Sequence, residues 1–294
     1  ESDVTVMRLA ARKFLIVTGS AQAVHDADWI ARNTPAEAHA VLTDVTSSYA
    51  VLALMGPKAR KILSRVTSAD LSDAGFPFAA VREIDIGYAT GHANRMSYVG
   101  ELGWELIVPT EFAVGVYEAL LAAGAEFGLI DAGYYALEAL RLEKGYRAWS
   151  RELTPDVTPF EAGLGFAVAL DKPGGFIGRN ALVEARAKPS LQKRIVQFTL
   201  DDAAPMLWGG ELILREGKPV GEVRSAAYGH TLGRSVALGL IEHAEGVDKA
   251  FLTSGSFEID LAGVCYPATP HLRSPYDPKS ERVKADATMV RAAA

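Results

Sequence analysis

The chain has 294 residues, 49% of them hydrophobic and 22% charged, with a formal net charge of -6. It can therefore bury a substantial core in more than one domain, and it offers no basic field to a nucleic-acid backbone. No apolar run reaches the ~18 to 20 residues of a membrane helix, and the start Glu1-Ser2-Asp3-Val4-Thr5-Val6 is neither a signal sequence nor an initiator methionine. That start reads as a fragment or a processed piece. Cys265 is the single cysteine, which rules out an internal disulfide framework and favours a reducing compartment, the cytoplasm or a mitochondrial matrix.

In chain order, residues 3–9 and 13–18 are short β-branched or apolar runs that suit a hairpin, and 21–33 carries a helical pattern through Val24, Ala27, Trp29 and Ile30. A strand is expected over 49–54 and, after Gly56-Pro57, a helix over 58–66. Strands over 82–88, 93–98 and 104–108 precede a helix over 111–126, an order that predicts an antiparallel sheet with helices on one face. A charged helix over 132–146 stops at Gly145. The two prolines of 151–159 make a long ordered loop, and one more helix follows over 180–187. From Lys193 onward short strands over 195–200, 211–214, 220–223, 235–240 and 257–261 alternate with turn signals, the texture of a small barrel or sandwich. The fold class is thus α+β followed by an all-β module, with a boundary near residue 188 that gives domains 1–187 and 188–294. Residues 285–294 read as a mobile tail.

Missing motifs narrow the chemistry. No Gly-x-Gly-x-x-Gly follows a strand, no loop ends in Gly-Lys-Ser/Thr, and no Gly-x-Ser-x-Gly elbow occurs. The six histidines show no ligand spacing, so a metal centre is not expected. The stretch from Arg95 to Leu106 is the most informative: Gly100 and Gly103 read as turn glycines that admit a ligand, with Tyr98 and Glu105 on the flanks, as a pocket for a flat polar heterocycle requires. An ordinary hairpin with a surface glutamate is the competing reading.

That stretch, with Ala132 to Arg147, Pro159-Phe160-Glu161-Ala162-Gly163-Leu164 and Phe176-Ile177-Gly178-Arg179, resembles the tetrahydrofolate-binding aminomethyltransferase family of the glycine cleavage system. The resemblance runs over nearly the whole chain. Within the family, Glu143-Lys144-Gly145-Tyr146-Arg147-Ala148-Trp149 and Arg273-Ser274-Pro275-Tyr276-Asp277-Pro278 are most similar to the folate domain of sarcosine and dimethylglycine dehydrogenases, in which a separate FAD domain oxidises an N-methyl group. The resemblance implies an aminomethyltransferase folate-binding fold that begins late, with the usual start of the folate domain missing, so that the first sheet would expose an edge. It implies tetrahydrofolate as cofactor, FAD only in a separate or missing module, and as partners the folate, an N-methyl amine-derived one-carbon unit and an FAD oxidoreductase.

Residue by residue, the resemblance makes Asp3 the catalytic carboxylate beside the reactive folate nitrogens. Glu105 is the acceptor for the paired N–H donors of the pterin. Tyr98 stacks or hydrogen-bonds along the pterin, Thr5 and Gly19 line the cavity, and Trp104 and Phe166 either form its walls or pack into the core. Two departures stand out: Leu137 replaces an arginine usual in glycine cleavage aminomethyltransferases, and Met7 replaces a frequent tyrosine. These favour the dehydrogenase-linked branch and leave open which basic residue meets the folate's glutamate tail. Arg141, Lys144 and Arg147 are near in sequence, with surface ion pairing as their plain explanation. The alternatives are a glycine cleavage aminomethyltransferase, a flavin-free folate-dependent demethylase, and a non-catalytic folate-binding scaffold.

Overall fold

A computed structural model describes residues 2–284. They form two compact units, the first comprising residues 2–131 with 280–284 and the second residues 132–279. The division in space thus falls at 131/132, whereas the sequence pattern places a boundary near 188, because the helix and loops between these points pack with the barrel. The expected tail over 285–294 lies outside the described residues.

In the first unit, β1 (Val4–Ala10) and β2 (Lys13–Thr18) form an antiparallel ribbon, followed by α1 (Ala23–Asn33). The strands β3 (Tyr49–Met55), β4 (Val81–Ile86), β5 (Ala89–Asn94) and β6 (Gly103–Pro109) make an antiparallel sheet in the order β3-β6-β5-β4. Strand alternation sends Trp104, Leu106 and Val108 to one face of β6. There they pack with Leu54, Ile84, Ile86 and the apolar sides of α2 (Ala59–Leu63) and α3 (Ala113–Gly124), which contribute Ile62, Leu63, Val116 and Leu120. The expected strand over 93–98 lies instead at Ala89–Asn94. Its residues are small because the sheet is close there: a Cβ on Gly91 would come within 2.7 Å of the Ile107 carbonyl oxygen. An apolar-run criterion passes over such a strand.

In the second unit, α4 (Tyr134–Glu143) ends where Gly145 turns at φ +71°. After α5 (Arg179–Ala187), six antiparallel strands close a barrel: β7 (Lys193–Leu200), β8 (Leu212–Arg215), β9 (Lys218–Gly229), β10 (Arg234–Glu242), β11 (Phe257–Leu261) and β12 (Val264–His271). The short α6 (Lys249–Thr253), capped by the Asp248 side chain, joins β10 to β11. Neither α6 nor β12 is legible in the sequence pattern; Pro267 and Pro270 disguise β12 as loop. Val196, Phe198, Leu200, Ile213, Ile241, Phe257 and Ile259 fill the barrel.

The charged face of α4 meets this unit's interior. Arg141 is fully buried and uses all five guanidinium donors: Nε and Nη2 to Glu138 at 2.9 and 2.6 Å, Nη2 to Ser225 Oγ at 2.9 Å, and Nη1 to Glu152 and to the Tyr146 carbonyl, both at 3.1 Å. Glu152, also fully buried, accepts in addition from Ser225 Oγ and from the Ala148 amide. Glu143 accepts the amides of Thr231 and Leu232 in the β9–β10 turn, both at 2.8 Å. Surface ion pairing is therefore not the role of Arg141, and no donor is left for a ligand. Arg141→Ala is expected to cost about 3–5 kcal/mol in chemical denaturation because it strands the Glu152 charge, whereas Glu138→Ala, at the exposed end, costs about 1 kcal/mol or less. Equal small losses would contradict this account.

Candidate functional site

The sheet face opposite the Trp104 core carries the site. Register places Asn94 and Ala53 on either side of Glu105. Ala53 is small and exposed, so the carboxylate faces an open patch. The Asn94 amide spends its two N–H donors on Glu105 Oε2 at 3.2 Å and on the Met96 sulfur at 2.8 Å. Glu105 Oε1 has no hydrogen-bond partner among the described residues. One oxygen is held and the other is available, the arrangement of a carboxylate waiting for a second donor. Burial pushes the Glu105 carboxyl above its ordinary value, with the Asn94 bond pulling part of the way back.

The ribbon supplies a second carboxylate group. Thr5 Oγ1 lies 3.8 Å from the Met96 sulfur, which brings β1 to the end of β5. Asp3 immediately precedes β1. Behind it, buried Asp26 on α1 accepts Ser2 Oγ at 2.7 Å, His25 Nδ1 at 2.9 Å and Thr18 Oγ1. Burial raises Asp26, but these hydrogen bonds outweigh it and hold the carboxyl below its ordinary range. Asp26 thus stays ionised. Asp3 is raised, first by desolvation and then by the Asp26 charge, as suits a proton acceptor.

Of the residues singled out by sequence, Thr5 and Glu105 meet Met96 and Asn94 in the first unit, and Asp3 lies within reach of the Asp26 charge. Tyr98 is half-buried in the loop after β5, just before Gly100 makes its turn at φ +76°. Gly103 serves close packing rather than the turn: a Cβ there would fall 2.5 Å from the Leu54 carbonyl oxygen. Gly19 has extended backbone, and a Cβ on it would meet nothing. Trp104 has the placement of a core residue, fully buried on the face away from Glu105 and edge-on to Phe76 at 6.1 Å. Phe166 belongs to the second unit, where its ring is 88% exposed and joins no core. Asn94, Met96 and Asp26 were missed; a polar asparagine directly across from a strand glutamate is a signal only once the register is known. Among the described residues no group of three or more His, Cys, Asp or Glu is arranged to hold a metal, and no helix is long and apolar enough to cross a membrane.

A four-stranded antiparallel sheet carrying Glu105, followed along the chain by a closed six-stranded barrel, is a two-part architecture of defined class. Residues 1–172 match the GCVT N-terminal domain, and residues 193–277 match the glycine cleavage T-protein C-terminal barrel domain. The chain belongs to the glycine cleavage T-protein family. It is 41% identical over 305 residues to mitochondrial sarcosine dehydrogenase of Homo sapiens, covering 97% of this chain and 32% of that protein. It is 38% identical over 270 residues to mitochondrial dimethylglycine dehydrogenase of Homo sapiens, covering 91% and 30%. It is 34% identical over 267 residues to aminomethyltransferase of Saccharopolyspora erythraea, covering 90% and 70%. The crystal structure of the glycine cleavage system aminomethyltransferase T from Bartonella henselae superposes with a TM-score of 0.75 at 25% identity, covering 92% of this chain and 70% of that one. The chain is thus an aminomethyltransferase-type domain that spans about a third of the length of the two dehydrogenases.

A raised carboxylate binds its proton more tightly in the folded than in the unfolded state. Native stability therefore falls as pH rises from the ordinary value through the raised one, a loss complete only above the raised value. Glu105→Gln removes it. The variant is expected to melt above the wild type at neutral pH, with the difference closing as pH falls toward 4.5, the ordinary glutamate value. A variant equal to or below wild type at neutral pH contradicts a desolvated Glu105.

Proposed function

We propose that the chain binds tetrahydrofolate on the Glu105 face and forms 5,10-methylenetetrahydrofolate from a one-carbon unit at the formaldehyde or iminium level, as the folate part of a sarcosine or dimethylglycine dehydrogenase-like enzyme. The observation that carries the reading is the Glu105 carboxylate, with one oxygen fixed by Asn94 and the other unfilled. Two parallel acceptor oxygens are the complement of the adjacent N–H donors on an aminopyrimidine. Tetrahydrofolate supplies two amine nitrogens to bridge the carbon, with loss of water when formaldehyde is the donor. Asp3 accepts the proton released as nitrogen bonds to that carbon, and its raised affinity for protons fits it for the task. Asp26 keeps a fixed negative charge beside it. Tyr98 covers the bound ring.

The relatives named as dehydrogenases are some three times as long as this chain, and an FAD module that oxidises the N-methyl amine is assigned to polypeptide outside these residues. The proposed compartment is the cytoplasm, or the mitochondrial matrix in a eukaryote; the names of those two relatives describe them as mitochondrial.

Titration with tetrahydrofolate tests the binding half: Glu105→Gln should weaken the affinity by about 10- to 100-fold, the value of a lost charge-assisted contact. Asp3→Asn should bind folate nearly as the wild type does yet lower the rate of methylene formation from formaldehyde, above the uncatalysed condensation, by about 100-fold or more. An Asp3→Asn rate equal to wild type removes the proton-acceptor role. A 5-methyl product in place of the methylene form would transfer the assignment to a folate-dependent demethylase.

A further inference from the structure

The loop between β5 and β6 carries Tyr98, and both its ends are fixed in the first unit. At one end Arg95 is fully buried and held by Asp73 at 2.7 Å and by the Phe76 carbonyl oxygen at 2.6 Å. At the other, Leu102 joins the core cluster of Trp104 and Leu106. Ser97 organises the middle: its Oγ accepts the amides of Val99 at 3.3 Å and of Glu101 at 3.1 Å, and Gly100 makes its left-handed turn inside that frame. Residues 97–101 thus form one hydrogen-bonded turn, so a contact that fixes Glu101 also restrains Tyr98.

Glu101 is a mostly buried carboxylate, its side chain 14% exposed, and such a charge calls for a cation. Arg282 Nε donates to it at 3.2 Å, from 181 residues further along the chain. That arginine lies in a short segment that has left the barrel's unit. As far as residue 279 the chain belongs to the second unit, where Lys144 grips Asp277 through its carboxylate at 2.9 Å and its carbonyl at 2.6 Å. Residues 280–284 belong to the first unit, with Val283 buried and a single helical turn over Arg282–Lys284. The change of unit coincides with Ser280 at φ +54°, shortly after Asp277 at φ +45°. Left-handed backbone is unfavourable for a residue with a Cβ and persists where the surrounding contacts enforce it.

A strained turn redirects the chain, an apolar side chain anchors it, and a charge pair is aimed at the loop. We propose that residues 280–284 are a strap, in which Arg282 is a positioning residue that holds the 97–101 turn in the conformation presenting Tyr98 to the bound folate. The proposal rests on the folate reading for what Tyr98 covers, whereas the strap itself stands on the geometry of Ser97, Glu101, Arg282 and Val283. Arg282 touches no ligand in this account and acts through the turn.

Amide hydrogen exchange of residues 97–101 in the whole chain without folate tests the strap, and titration with tetrahydrofolate tests its consequence. Arg282→Gln should speed exchange in the turn by about fivefold, as for a partly exposed ion pair, and Val283→Ala by about tenfold. Adding Arg282→Gln to Glu101→Gln should speed it no further, because the second change removes an interaction already lost. Salt should speed the turn's exchange in the wild type and have little effect in Arg282→Gln, a dependence that a packing role alone would not produce. Tetrahydrofolate affinity should fall about two- to fivefold in Arg282→Gln, since it scales with the binding-ready fraction. Exchange in 97–101 unchanged in both Arg282→Gln and Val283→Ala overturns the strap, and faster exchange with unaltered folate affinity overturns its positioning role. A wild type that takes up no tetrahydrofolate removes the folate reading, and the exchange rates then judge the strap by themselves.

Discussion

The register of β5 against β6 is the constraint on which the site depends. It sets Asn94 opposite Glu105, and because strand side chains alternate, the same register sends Trp104 and Leu106 into the core. A slip by one residue would bury the carboxylate and expose the indole. The close approach of β5 to β6 at Gly91 goes with that register, since a larger residue there would collide with Ile107, and Gly103 does the same for β6 against Leu54 of β3. Stability is thus concentrated on one face, leaving the other to keep a partly desolvated acid. The strain on Glu105 is electrostatic, a carboxyl kept partly out of water.

The second unit solves a different problem with the same materials. A helix with charges on its inner face would be costly against an apolar barrel, so Arg141 and Glu143 are satisfied donor by donor and acceptor by acceptor. Satisfied charge there is structural.

Much of this was legible in the sequence. Both strands of the ribbon, the helices α1, α3, α4 and α5 and most barrel strands carry clear periodicity or turn signals, and Glu105 stands out on the flank of two glycines. What escaped has physical causes. β5 is built from small residues that pack closely and has no β-branched run; β12 contains two prolines; and Arg141 looks like any helix-surface arginine until the barrel closes over it. Asn94 and Asp26 act through partners far away in sequence, Glu105 and Ser2, so no local pattern marks them. The resemblance to the aminomethyltransferase family singles out Asp3 and Glu105 and says nothing of Asn94 or Asp26, which hydrogen-bond or charge-couple to them.

Glu105, oriented by Asn94, is proposed to receive the donor edge of a reduced folate. A crystal structure of the chain with tetrahydrofolate measures this directly. The account predicts paired pterin N–H donors on the two Glu105 oxygens, with Asn94 still bonded to Oε2 and a folate nitrogen within reach of Asp3. A pterin bound elsewhere, or seated on this face with Glu105 turned away, would contradict it.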